Sequence, residues 1–93
     1  MLELTTKIVQ KEDLIAANLG NEVMMMSLET DNYFALDSVG SEIWHLIQHP
    51  VTIAEICAAL QERYAVSADT CLADTQAFLQ RMIDEKVAHV VES

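Results

Sequence analysis

Three kinds of residue in this 93-residue chain could do chemistry: three histidines, two cysteines and fifteen carboxylates. His45 and His49 stand four apart, which puts both imidazoles on one helix face, a spacing that can grip a metal ion. Nothing completes such a site. There is no CxxC, no HExxH, and His89 stands alone, so rim histidines and no metal are expected. Cys57 falls on an apolar helical stripe, where burial raises a thiol's pKa and makes it inert. Cys71 lies near a helix start, which can lower a thiol pKa, but no oxyanion site accompanies it. The pairs Glu12-Asp13 and Asp84-Glu85 are neighbours in sequence, so their side chains diverge. Asp31 and Asp37 flank an aromatic segment and read as turn and cap residues. With no Gly-rich phosphate loop either, the expectation is a protein with no catalytic residues and no cofactor, whose function is to bind.

The elements that must position a binding surface fit one domain over residues 1–93. Just over half of the residues are apolar, and only two Gly and one Pro occur, so the chain is neither disordered nor rich in loops. Fifteen acidic residues against five Lys or Arg give a formal charge of −10. Such a surface repels nucleic acid and anionic membranes and favours cationic partners. Two cysteines read as buried free thiols in a reducing compartment. The N-terminus has no signal-peptide pattern, and no apolar run approaches the roughly 20 residues of a membrane span. A soluble, cytoplasmic protein is expected.

Strands fill the first third. Thr5 to Val9 is β-branched, and Lys11 to Asn18 is open between a helical turn and a connection. Gly20-Asn21 punctuates the chain. Val23 to Leu28 is a second strand, with Val23, Met25 and Ser27 on one face and Met24, Met26 and Leu28 on the other. Glu29-Thr30-Asp31-Asn32 is turn chemistry, leading to a third strand, Tyr33 to Leu36, in an antiparallel hairpin. Helices follow. Ser38 is the expected N-cap of the first, which ends near Gln48 ahead of Pro50. Thr52 and Glu55 form a capping box for the second, with Ile53, Ile56, Cys57, Leu60 and Tyr64 along one face. Ser67 caps the third, whose core face is Leu72, Thr75, Leu79, Met82 and Ile83, with Lys86 in the last turn. Ala88 to Val91 is a short extended tail. The order predicts an α+β, winged helix-turn-helix-like domain: a three-stranded antiparallel sheet followed by three helices.

Two features invite a partner. Tyr33-Phe34-Ala35-Leu36 carries no Lys, no Pro and no charge, so as an edge strand it is unprotected and suited to accept an extended peptide. On the third helix, Cys71, Asp74, Phe78, Arg81 and Glu85 recur at helical spacing beside the core stripe, with Phe78 half exposed. Together they predict a groove with an aromatic anchor and an acidic rim. DNA binding, the usual task of a helix-turn-helix, is disfavoured. The helix that would enter the major groove carries Asp69, Asp74, Asp84 and Glu85 against Arg81 and Lys86, and its N-terminal half has no base. Met24-Met25-Met26 and Trp44 read as packing residues.

The run Tyr33-Phe34-Ala35-Leu36-Asp37 leading to Ile43-Trp44, with a helix after Pro50, resembles the PqqD family of leader-peptide recognition elements, and the likeness covers nearly the whole chain. The resemblance implies a non-catalytic domain that takes the leader segment of a ribosomally made precursor peptide as an added strand and presents it to maturation enzymes. It carries over to Tyr33, Phe34, Ala35 and Leu36 as the docking strand, and to Asp74, Phe78 and Arg81 as the opposite wall. Overall likeness favours the lasso-peptide type, whose partners are a leader peptidase and a macrolactam cyclase. The alternatives are a peptide chaperone of pyrroloquinoline quinone synthesis, with a radical enzyme as partner, and a winged-helix transcriptional regulator. A second copy is a further candidate partner, through the exposed strand edges or a swap of the Lys11–Gly20 connection.

Overall fold

Alternation sorts the strand residues of the protein, seen in a computed structural model that describes residues 2–12, 14–20 and 22–91. Asp13, of the first acidic pair, and Asn21, of the punctuating Gly-Asn, lie outside the described residues. The elements are β1 (Lys7–Gln10), β2 (Leu14–Leu19), β3 (Glu22–Ser27), β4 (Tyr33–Leu36), α1 (Ser38–Leu46), β5 (Val51–Thr52), α2 (Ile53–Arg63), α3 (Ala68–Asp84) and β6 (Ala88–Val91). In β3, Val23, Met25 and Ser27 are buried while Met24 is exposed. In β4, Phe34 and Leu36 are buried while Tyr33 and Ala35 are exposed. This is the period of two expected of strands with one face on a core.

The α+β class, the three helices and a three-stranded antiparallel sheet are all present. The membership of the sheet differs from the expectation. It is β2-β3-β4, with β2 built from the ambiguous Lys11–Asn18 stretch, and β4 lies at one edge. The first predicted strand instead forms β1, the centre of a second small sheet, β5-β1-β6. There Ile8 faces Val51 on one side and Val90 on the other. The tail Ala88–Val91 is therefore a paired strand that closes the domain across its whole sequence length. A pairing between the two ends of a chain leaves no mark on local periodicity, so the sequence pattern does not reveal the neighbours of β1.

The helices start where capping chemistry directs them, with one correction. The N-cap of α1 is Asp37, not Ser38: its carboxylate accepts from the Gly40 N–H at 2.8 Å. A carboxylate is favoured at this position because it meets both an unpaired N–H and the positive end of the helix dipole. The capping box of α2 forms in full, with Glu55 N–H donating to Thr52 Oγ1 at 3.1 Å and Thr52 N–H to Glu55 Oε1 at 3.2 Å. Ser67 caps α3 through the Thr70 N–H. Lys86 lies beyond the last turn rather than within it. It adopts a left-handed conformation (φ 66°), with its N–H on Ile83 O and the Val87 N–H on Met82 O. This is the Schellman pattern of helix termination, and buried Val87 and Met82 supply its apolar contact.

The core lies where the helices meet the two sheets. Ile8, Ile47, Ile53 and Leu79 are completely buried, and Trp44 joins them as a packing residue. Two side-chain bonds tie the periphery to it: Gln10 Nε2 donates to Trp44 O, and Gln76 Nε2 to Leu2 O, each at 2.7 Å. Among the described residues no helix is long and apolar enough to cross a membrane.

Candidate functional site: the β4 edge beside α3

Register decides which backbone groups β4 offers. Ser27 N–H donates to Asn32 O, so Asn32 and, by alternation, Phe34 and Leu36 turn their backbone groups toward β3. Tyr33 and Ala35 turn their N–H and C=O groups outward. At the far end of this ladder Ser41 intervenes. Its hydroxyl accepts from Val23 N–H at 3.0 Å and donates to Leu36 O at 3.2 Å, so a buried serine of α1 closes the β3–β4 pair. The same residue pins α1 to the sheet and so fixes the position of the free edge.

The third helix runs beside that edge in the opposite direction. The Asn32 side-chain amide donates to Glu85 at 2.9 Å. The Arg81 guanidinium lies 5.9 Å from the Phe34 ring centroid, within cation–π reach. Phe78 packs over Gly40 so closely that a Cβ there would lie 3.0 Å from the ring. Ascending positions from β4 into α1 thus meet descending positions along α3. Where the two lines reach α1, a cavity of about 400 Å³ opens between the start of α1, the end of α2 and the first half of α3. Its walls include Asp37, Gly40, Ile43, Tyr64, Asp74, Thr75 and Phe78.

The residues singled out from sequence divide into two groups. Tyr33 and Ala35 are exposed and carry the outward backbone groups, with Tyr33 73% accessible. Phe34 and Leu36 have buried side chains and backbones committed to β3, so they hold the edge rather than offer it. Asp74 and Arg81 are exposed and Phe78 is half buried on the facing helix. Arg81 lies against the Phe34 ring of β4, while Asp74 and Phe78 line the cavity.

Sequence reasoning missed Gly40, Ser41, Tyr64 and Thr75. Gly40 had a readable signal: a glycine in the first turns of a helix costs stability and usually answers to a close contact. Thr75, on the expected core face, is 1% exposed, yet its hydroxyl has no hydrogen-bond partner in proper geometry. The Cys57 thiol lies near it, a weak acceptor. Burial pushes that thiol up from 9.0, Thr75 counters part of the rise, and Cys71 adds to it. Cys71 is itself buried and donates to Cys57 O at 3.8 Å, so the helix-start position does not expose a reactive thiol. Among the described residues no three His, Cys, Asp or Glu side chains converge on a metal-sized site.

Two solved structures are similar to this fold. One, described as TbiB1 in complex with the TbiA(beta) leader peptide, is 28% identical with a TM-score of 0.82, covering 91% of this chain and 99% of that one. A lasso peptide synthetase B1 complexed with the leader peptide is 14% identical with a TM-score of 0.76, over 88% of this chain and 96% of that one, and shows the fold alone. No curated protein sequence matches. The family model for coenzyme PQQ synthesis protein D matches residues 22–88, from β3 into the first residue of β6 and through every element of the site, and the chain belongs to the PqqD family.

Proposed function

We propose that the protein binds the leader segment of a ribosomally synthesised precursor peptide, as an added strand on β4 beside α3, and carries no catalytic step of its own. The observation that carries this reading is the free edge of β4. Tyr33 and Ala35 offer two N–H and two C=O groups that no charge, proline or covering element among the described residues protects, and α3 stands alongside as a second wall. Membership of the PqqD family supports it, as do two structural neighbours described as leader-peptide complexes. The lasso-peptide type fits the fold shared with a neighbour described as a lasso peptide synthetase B1 and the overall likeness of the sequence. In this reading the backbone of β4 fixes the direction and register of the leader. Each of its hydrogen bonds adds about 0.5–1.5 kcal/mol net. The cavity takes an apolar leader side chain against Phe78, and Asp74 and Arg81 select charges along the rim. The loaded domain then presents the precursor to a leader peptidase and a macrolactam cyclase.

The test is a fluorescence-polarisation titration with labelled leaders of precursor peptides encoded beside this gene, against a scrambled leader and duplex DNA. Saturable binding to one leader alone is expected. Two variants separate its components. Ala35→Pro removes an outward N–H without touching the β3 ladder. Phe78→Glu removes the aromatic anchor; the ring is already half buried, so covering the rest is worth about 0.7–1.5 kcal/mol, or roughly three- to tenfold in Kd. Full affinity in both variants, with circular dichroism unchanged, would sink the strand-addition model. Salt-sensitive binding of the duplex control would favour a transcriptional role.

A further inference from the structure

The sheet has two edges and an outer face, and leader binding at β4 leaves the rest of it free. Every residue of β2 from Ile15 to Leu19 is exposed, on both faces, and the strand carries no charge and no proline. Ile15 and Leu19 are 57% and 59% accessible. Register brings these residues into a continuous apolar surface. Ile15 lies opposite Met26 and Met26 opposite Tyr33; Ala17 lies opposite Met24 and Met24 opposite Ala35. Two apolar rows therefore cross the sheet from the β2 edge to the β4 edge. The charges bordering this face are acidic, Glu22 at its end and Glu29 and Asp31 in the β3–β4 turn, and the neighbouring Lys11 is paired with Glu29 at 3.4 Å. An apolar strip of this kind on an unprotected edge is a liability unless something covers it.

From this arrangement we infer that the outer face of β2-β3-β4, with the β2 edge, docks a leader-processing enzyme through an apolar patch rimmed by Lys or Arg. The occupant is chosen by charge. A second copy would bring another −10 and the same acidic border to the contact, whereas a basic-rimmed protein meets both the apolar rows and the acidic border. This inference rests on the proposed function and adds a consequence to it. A strand added at β4 places alternate side chains on the outer face, next to Tyr33 and Ala35, and lengthens the two rows by one strand. The enzyme would then read a surface made partly of this protein and partly of the bound leader. Loaded protein should bind it more tightly than empty protein, and by linkage the enzyme should tighten leader binding by the same factor.

The experiment is biolayer interferometry of the full chain against the purified leader peptidase and macrolactam cyclase encoded beside this gene, with and without leader. Leader affinity is measured in parallel. Wild type is expected to bind the leader peptidase, the leader-processing enzyme of the two, several-fold tighter when leader is present. Ile15→Glu and Met26→Glu are expected to lose at least tenfold in enzyme affinity while binding leader as wild type does, and that retained binding also reports that they are folded. The inference is overturned if both variants keep enzyme affinity, or if wild type binds leader but neither enzyme. It is also overturned if wild type elutes as a dimer that Ile15→Glu dissociates with enzyme binding unchanged, since the face would then serve self-association. Loss of leader binding by wild type itself would instead strike the proposed function.

Discussion

Gly40 is where core and groove constrain each other most tightly. An added Cβ would lie 3.0 Å from Phe78 Cε1 and 3.3 Å from the capping Asp37 carboxylate. In an ordinary helix Gly→Ala gains about 1 kcal/mol. Here that gain is offset by displacing the Phe78 ring, which is only half buried and can yield toward the groove. Gly40→Ala is therefore expected to leave the melting temperature near that of wild type and to weaken leader binding. Calorimetry and polarisation titration on one sample check both halves. A second residue-scale prediction concerns Cys57. Desolvation raises its pKa, so the folded state holds the neutral thiol more firmly than the unfolded chain does. Its contribution to stability is complete below the ordinary value of 9.0 and is lost as pH rises through the raised one. With Cys71 equally buried, both thiols should react with Ellman's reagent slowly in the native protein at neutral pH and at once in denaturant. Fast native labelling would contradict the buried placement.

At the scale of elements, termination of α3 gives a direct test of backbone strain. Lys86 holds φ 66° at the position where helices usually place glycine. The left-handed region costs an L-residue about 1–2 kcal/mol, against roughly 0.5–1 kcal/mol for the extra chain entropy of glycine. The net is about 0–1.5 kcal/mol in favour of glycine, so Lys86→Gly should raise the melting temperature, by roughly 3–6 °C at the middle of that range, read by thermal circular dichroism. A fall would mean that the Lys86 side chain supplies a compensating contact. The elements legible in the sequence were those whose burial is one-sided. In β3 and β4 the core takes alternate residues, and in α2 it takes the Ile53-Ile56-Cys57-Leu60 stripe, so the period appears in the residue types. Leu14–Leu19 showed no period because neither face of β2 is buried, and its two alanines carry little strand preference. β4 and the helix that faces it were legible for the same reason as the core. The cavity was not, because Gly40, Tyr64 and Thr75 come together from three helices and no single periodicity contains them.

On the scale of the whole molecule, charge governs encounter more than affinity. A formal −10 on 93 residues produces a field that draws cationic segments from beyond contact distance, and Asp37 and Asp74 at the cavity concentrate it near the β4 edge. In the proposed complex the contacts that hold the strand are of another kind: backbone hydrogen bonds from Tyr33 and Ala35, and apolar burial against Phe78. Salt screens the first kind over a Debye length of about 8–10 Å and hardly touches the second. A leader bearing Lys or Arg should therefore associate roughly tenfold more slowly as salt rises from a low value to about 0.3 M, while its dissociation rate stays nearly constant. Stopped-flow polarisation at a series of salt concentrations separates the two rates. If dissociation accelerates with salt while association does not slow, ion pairs hold the complex together. In that case Asp74 and Arg81, rather than the β4 edge and Phe78, would carry the binding.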